Sequence, residues 1–374
     1  MTPRVSVVMP AYNHVEYVRT AAESVLVQSF GDLELVVTDD GSTDGTGDVI
    51  AELGDSRVKF RAYERNRGAC DALNDAIERS VGEYIAVLNS DDFFLPSKLS
   101  EQVAYLDRHP EVAATFGMAR LVDESGAEVS ETSHPYGKAF SAENRPRHSW
   151  LRHFFFSGNA ICHPTAMVRR TCYDQVGLYD RALMQLPDLD MWIRICSTYE
   201  IHVSSTVLTG FRILLNDGNV SGQQPQSRVR LLWEQQQVLR RFLRLSPAEL
   251  TAVFGADLPR ASKLAAPDWP AALARVALSI DSIAHHAFAL AVLQDDVDRP
   301  VGGTDPLELF ALTGSKDIYD VLGRQELSRL RLEHDALLHR AGWRGMAPVR
   351  RSVAAVRRLL TDRSRFPSAR GRGE

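Results

Sequence analysis

Apolar residues fall along the first hundred positions in two alternating periods. Short apolar-rich runs at residues 5–9, 33–37 and 84–88, with a more mixed one at 58–62, have the look of buried strands. Between them, apolar positions recur at helical spacing: Val18, Ala21, Ala22, Val25 and Leu26 within residues 17–28, then Val49, Ile50 and Leu53, then residues 69–79. Ser42-Thr43-Asp44 stands where the second of these helices needs its cap. Strands alternating with helices predict a mostly parallel, doubly wound α/β sheet.

Further on, the pattern predicts a helix over residues 99–108, a strand over 112–118, and a polar connection over 130–147. Strands over 160–168 and 201–207 flank a helix over 191–197. After Gly222-Gln223-Gln224-Pro225 the strand signals thin out. Helical patterns cover 228–245, 271–293, 307–312 and 318–339, so a boundary is placed near residue 225, with a helical region over 226–345 and a tail over 346–374. The apolar stretch 271–293 is interrupted by Arg275, Asp281, His285 and His286, which fits an amphipathic buried helix and not a membrane span.

At 374 residues the chain exceeds the usual size of one domain. A formal net charge of −5 gives no reason to expect a nucleic-acid partner. Cys70, Cys162, Cys172 and Cys196 form neither a CxxC pair nor a zinc-like Cys/His spacing, and reduced thiols suit the cytoplasm. The start of the sequence enters a strand almost at once and lacks the organisation of a signal peptide, which again predicts a cytoplasmic protein. The tail is rich in arginine. Val349, Val353, Val356, Leu359 and Leu360 make residues 348–360 a basic amphipathic helix, suited either to peripheral contact with an anionic membrane or to packing on protein. Residues 363–374 are expected to be disordered.

Chemistry collects where the strands end. Asn89-Ser90-Asp91-Asp92 follows the fourth run, and ligands of open α/β sheets bind at the carboxyl ends of strands. Asp91 and Asp92 offer hard oxygens of the kind that hold Mg²⁺ or Mn²⁺ together with a substrate's phosphates. Alone, such a pair is more often a turn or helix cap. Pro10-Ala11-Tyr12-Asn13 follows the first strand and Asp39-Asp40-Gly41-Ser42 the second, on the same edge of the sheet. An aromatic ring, a carboxylate and a metal site converging there suit a base, a ribose and a diphosphate. Neither GxGxxG nor GxxxxGK[ST] occurs, which disfavours a dinucleotide site and a P-loop.

These segments, with Asn66-Arg67-Gly68, resemble the family 2 glycosyltransferases of the GT-A fold over roughly residues 4 to 220. The resemblance implies that Tyr12 and Asp39 hold the nucleotide base, with backbone contacts from Pro10 and Ala11 and further donor contacts from Asn13, Asp40, Arg67 and Ser90. It implies Asp91 as the ligand of Mn²⁺ or Mg²⁺, with Asp92 orienting the metal site. Asn89 stands where many members have aspartate and is expected to bond a ribose or sugar hydroxyl. Leu186-Pro187-Asp188-Leu189-Asp190-Met191-Trp192 resembles the segment that carries the catalytic base of inverting members. That role falls on Asp188; Asp190 competes with it, and both are also placed to cap a helix. Pro187 replaces a usual glutamate. Phe211-Arg212-Ile213-Leu214 has leucine where many members have histidine, leaving Arg212 as a diphosphate contact. His163 fits the acceptor side, or a structural place.

The resemblance therefore implies inverting, metal-dependent transfer of a sugar from a nucleotide-diphosphate donor, UDP favoured, to an acceptor hydroxyl of a sugar or glycolipid in cell-surface polysaccharide synthesis. The alternative is a non-catalytic nucleotide-sugar-binding or assembly protein on the same fold, argued from Asn89, Pro187 and Leu214. A sugar-nucleotide pyrophosphorylase is disfavoured because no Gly-rich, basic triphosphate loop follows the first strand.

Overall fold

The computed structural model describes residues 2–130, 140, 142–214, 225–257 and 268–297. All of them lie in one of the chain's two units, Met1–Phe310. Eight strands form one mixed sheet in the order β3-β2-β1-β4-β7-β6-β8-β5. Its parallel half consists of β1 (Val5–Ala11), β2 (Leu33–Asp39), β3 (Val58–Ala62) and β4 (Tyr84–Val87). The side chains of β2 and β4 are buried throughout, which is why these runs do not alternate between apolar and polar residues. Helix α1 (Val18–Leu26) adds Ala21, Ala22 and Val25 to the cluster that holds Val5, Val7, Met9, Leu35 and Val37. The short α2 (Thr46–Ala51) follows β2, and α3 (Ala69–Arg79) packs on β1 and β2. The N-cap of α2 is Gly45, which makes no side-chain cap bond; Asp44, one residue earlier, accepts the Thr46 amide through Oδ1 at 2.9 Å.

The other half mixes directions. β5 (Phe93–Phe94) pairs antiparallel with β8 (Glu200–Arg212), while α4 (Lys98–Arg108) leads into β6 (Val112–Val122). β7 (Met167–Arg169) runs antiparallel between β4 and β6. The strand expected over 160–168 shrinks to these three residues, because Pro164 places His163–Thr165 in a 3-10 turn and cannot donate to a ladder. The strands expected over 112–118 and 201–207 are longer than predicted, and their far ends pair with each other up to Val122 and Arg212.

Helices α5 (Arg147–Ser157), α6 (Arg170–Val176) and α7 (Pro187–Cys196) lie between the later strands in sequence. Beyond residue 225 come α8 (Pro225–Leu239), a 3-10 turn at Arg240–Arg244, α9 (Pro247–Phe254), α10 (Trp269–Leu278) and α11 (Ile283–Val297). The apolar stretch 271–293 is thus two helices and not one. Ser279 caps the first through its hydroxyl on Val276 O (2.6 Å), and Ser282 O accepts the first amide bond of the second. Serines compete for backbone bonds in this way and favour helix ends over interiors.

Phe155 of α5 meets Phe242 and Phe254 edge-to-face at 5.0 and 4.8 Å, tying the later helices to the sheet region. All four cysteines are free and buried. Among the described residues, no helix is long and apolar enough to cross a membrane. The helices expected over 307–312, 318–339 and 348–360, and the tail 363–374, lie outside the described residues.

Candidate active site

Three loops meet at the carboxyl ends of β1, β2 and β3 and are stitched by short-range bonds. The ring of Tyr12 is 43% exposed, so its face is open to a ligand. Asn13 adopts φ 51°, a left-handed conformation that asparagine tolerates better than most residues. Its backbone N–H donates to Ser42 Oγ and its Oδ1 accepts the Thr43 N–H, both at 2.9 Å. Ser42 donates its hydroxyl to Asp39 Oδ1 and its amide to Asp39 Oδ2. The Asp40 amide donates to Ala11 O at 2.7 Å.

The Asp40 carboxylate accepts the backbone amides of Arg67 (2.6 Å) and Gly68 (2.9 Å), which fastens the loop after β3. Burial nevertheless leaves the Asp40 carboxyl above the usual carboxylate range. Gly41 makes this closeness possible. Its φ is +74°, and a Cβ there would lie 2.6 Å from the Arg65 carbonyl carbon. The Arg67 guanidinium lies over the Tyr63 ring at 4.5 Å and pairs with Asp71 at 3.2 Å. Pro10, Ala11, Tyr12, Asn13, Asp39, Asp40 and Arg67 therefore form one connected surface.

The turn after β4 joins that surface through a residue the sequence motifs do not include. His14 Nδ1 lies 2.8 Å from Ser90 Oγ, and its charge works against the upward shift of the Asp91 carboxyl. Burial is the main cause of that upward shift. Asp92 is raised further, by burial first and by the charge of Asp91 second. Both oxygens of Asp92 are engaged inside the turn: Oδ2 accepts Asn89 Nδ2 at 2.9 Å and Oδ1 accepts the Arg212 amide at 2.8 Å. The Asn89 amide thus donates to a carboxylate that an aspartate at this position would repel. Arg212 donates Nε to Asp91 O (2.9 Å) and Nη1 to Asp123 O (2.9 Å) and Glu124 O (2.7 Å), and lies over the Tyr17 ring. Its guanidinium braces the turn from behind.

The second half of the site is the first turn of α7. Pro187 occupies a position at the helix start where its missing N–H costs nothing. Asp188 follows it, partly buried, with Oδ2 accepting Asn159 Nδ2 at 2.6 Å and Oδ1 accepting the Leu189 amide at 2.7 Å. Burial pushes its carboxyl up to about 6 against the pull of these bonds. Asp190 is different. It is 0% exposed and lies between Arg194 Nε (2.8 Å) and Arg241 Nε (2.5 Å). Arg241 also pairs with Asp180 at 2.8 Å. His163 is half-buried, within 3.0 Å of the Tyr179 hydroxyl, and pushed down to about 4 by desolvation, so it is neutral at physiological pH. The Cys162 thiol feels the charges of both Asp92 and Asp188, so both halves lie within electrostatic reach of it. Asn159 and Arg241 had no signal in the sequence beyond their residue types.

The model of glycosyl transferase family 2 matches residues 6–177. An uncharacterised glycosyltransferase of Methanocaldococcus jannaschii is 30% identical over 224 residues, which are 59% of this chain and 74% of that one. The chain belongs to glycosyl transferase family 2. This family 2 chain is also 36% identical over 134 residues to the putative teichuronic acid biosynthesis glycosyltransferase TuaG of Bacillus subtilis, covering 35% of this chain and 53% of TuaG. It spans as little as 33% of the length of some curated relatives. Among solved structures, that of S. aureus TarS 1-349 in complex with UDP-GlcNAc aligns with a TM-score of 0.55 at 18% identity. That alignment covers 78% of this chain and 84% of TarS 1-349 and speaks for the fold.

Proposed function

We propose that this family 2 glycosyltransferase moves a sugar from a nucleotide-diphosphate donor, a UDP-sugar by preference, to an acceptor hydroxyl with inversion, and that Asp188 is the base. The observation that carries this reading is the division of labour on α7. Asp190 is consumed by two arginines, while Asp188 keeps only neutral partners and a raised pKa. A base serves best when its pKa lies near the operating pH. UDP is favoured because the TarS structure of like fold holds a UDP-sugar. The name of TuaG supports an acceptor in cell-surface polysaccharide synthesis.

In this mechanism the open face of Tyr12 and the Asp39 loop hold the nucleotide. The acceptor oxygen attacks the anomeric carbon from the side of Asp188, which takes the hydroxyl proton. The bond to the diphosphate breaks on the opposite side and its electron pair leaves with the diphosphate. One displacement needs one base and inverts the centre, by the logic of inverting glycosidases. Asp188 then returns its proton to water. Asn159 holds Asp188 from one side and leaves its acidity near neutral.

The residues fit a divalent cation in one respect that matters. Asp91 is a desolvated carboxylate whose raised pKa a cation would reverse, and Mg²⁺ or Mn²⁺ is commonly held by one or two carboxylates plus phosphates. Asp92, with both oxygens bonded inside the turn, orients Asp91 and does not compete for the metal. Such a cation supplies charge to the diphosphate as it leaves. The departures at Asn89 and Pro187 each have a structural place, which weakens the case for a non-catalytic reading.

A thermal-shift screen with UDP, GDP, dTDP and CDP, each with and without Mn²⁺, tests the donor half. Stabilisation by one nucleotide that requires the metal is the expected result; no response to any nucleotide sinks the reading. Asp91→Ala should abolish the metal-dependent shift. Asp188→Asn should keep the shift and lose transfer by roughly 100-fold or more.

A further inference from the structure

We infer that Glu234, a fully buried carboxylate on α8, is a positioning residue that sets the place and charge environment of Asp188. The inference rests on the assignment of Asp188 as base. Glu234 is 0% exposed, and backbone amides, not a cation, supply its partners. Oε1 accepts the Met184 N–H at 2.9 Å, and Oε2 accepts the N–H groups of Gln185 at 2.7 Å and Leu186 at 2.9 Å. These three residues run directly into the start of α7, with Leu186 at its cap and Asp188 in its first turn.

A carboxylate of this burial is costly unless its lone pairs are filled. Three amides fill them. The return is geometric. Three consecutive N–H groups aimed at one pair of oxygens fix the path of the loop, and with it the first turn of α7. Arg230, one turn earlier on α8, donates to Met184 Sδ at 2.7 Å and holds the same loop at a second point. On the other side, Arg241 reaches Asp190 from the 3-10 turn after α8. The segment that carries the base is thus clamped by residues 230, 234 and 241, all beyond the part of the chain that the family model matches.

The clamp is also electrical. The negative charge of Glu234 opposes ionisation of Asp188, adding to the effect of burial. The other groups facing Asp188 are Asn159, Cys70 of α3, Cys162 and Tyr179. The nearby Asp190 is held by its two arginines. Glu234, by contrast, is held by backbone amides and makes no ion pair among the described residues. Its removal therefore moves Asp188 in a known direction.

The test uses the full chain and four variants: Glu234→Gln, Glu234→Asp, Asp188→Asn and the double variant Glu234→Gln/Asp188→Asn. Turnover is read as UDP release from UDP-N-acetylglucosamine, or as nucleotide release from the donor whose nucleotide stabilises the chain. Glu234→Gln should lower kcat roughly 10- to 100-fold, the scale of a misplaced reacting group, and leave the donor KM within about two-fold. The acid limb of its pH–rate profile should move to lower pH. Glu234→Asp keeps the charge on a shorter arm, so it should lose rate while the limb stays in place; it also serves should the glutamine variant fold poorly. In the Asp188→Asn background Glu234→Gln should cost nothing further, as for residues that act as a unit. Native-state hydrogen exchange should show faster exchange at the amides of residues 184–186 in Glu234→Gln.

Wild-type kcat, limb and exchange in Glu234→Gln, beside a dead Asp188→Asn, would overturn the inference and leave the base assignment standing. Wild-type turnover in Asp188→Asn would remove the base assignment and the inference together.

Discussion

Two aspartates two positions apart on α7 show how neighbours decide what a carboxylate does. Asp190, at 0% exposure between Arg194 and Arg241, is a structural ion. Removing one partner of a buried pair strands the other, at about 3–5 kcal/mol. Asp190→Ala is therefore expected to lower the unfolding free energy by about that much in denaturant titration. Asp188 carries a folded pKa of about 6 against an ordinary 3.8. As a base it works ionised, so the rate should rise with pH and level off above about 6. Stability runs the other way. A raised carboxyl pKa favours folding below the unfolded value, and that advantage is lost as pH rises through about 6. Asp188→Asn should thus gain stability relative to wild type between pH 4 and pH 7, and paired thermal melts across that range check it.

The motif residues were legible because each follows an apolar run that could only be a buried strand, so Tyr12, Asp39 and Asp91 had to share an edge. Arg194 was in principle legible too, one turn from Asp190. Arg241 was not, lying 51 positions away from its partner. Glu234 was invisible for a different reason. It sits in a polar, glutamine-rich stretch that reads as a solvated helix face, and only the tertiary structure turns it inward.

At the scale of elements, the site depends on places where backbone must approach closely. At Gly41, φ +74° and a Cβ only 2.6 Å from the Arg65 backbone both forbid a side chain. Gly41→Ala is expected to cost about 1–3 kcal/mol, and to weaken nucleotide binding because the loops after β2 and β3 separate. Isothermal titration with the stabilising nucleotide is the direct measurement. Gly210 of β8 plays the same part for β5. A Cβ there would collide with the Phe93 ring, so Gly210→Ala should loosen Phe93–Phe94 from the edge of the sheet. The sequence marks β8 by its apolar positions up to Val207, and the far end is hidden because Thr209 and Gly210 interrupt the pattern there. The same effect hid the end of β6. Conversely, the apolar-rich stretch 271–293 conceals a turn, since apolarity reports burial and says little about where a helix stops.

At the scale of the whole molecule, the described elements after residue 225 are helical, while residues on both sides of that point belong to the unit Met1–Phe310. Phe155 packs on Phe242 and Phe254, and Arg147 pairs with Glu249 at 3.0 Å. A chain cut after residue 224 would bare these surfaces and remove Glu234 and Arg241 from α7. It is expected to be poorly soluble and inactive, which expression trials and the donor-release assay would show. Full activity in such a fragment would mean that α7 holds its place without the later helices.

The brace at Arg212 has a consequence in time. The strands that present Tyr12, Asp39 and Asp91 are complete within the first ninety residues, but the bonds from Arg212 to Asp91 and Asp92 span 121 and 120 positions. During synthesis, which proceeds from the N-terminus, the loops after β1, β2 and β4 emerge long before the residue that steadies the Asp91–Asp92 turn. Contacts so distant in sequence form late because the loop they close is long. A ribosome-bound chain halted near residue 200 would hold the loops after β1 and β2 with the Asp91–Asp92 turn still unbraced, and under the proposed roles should bind a nucleotide only when β8 arrives.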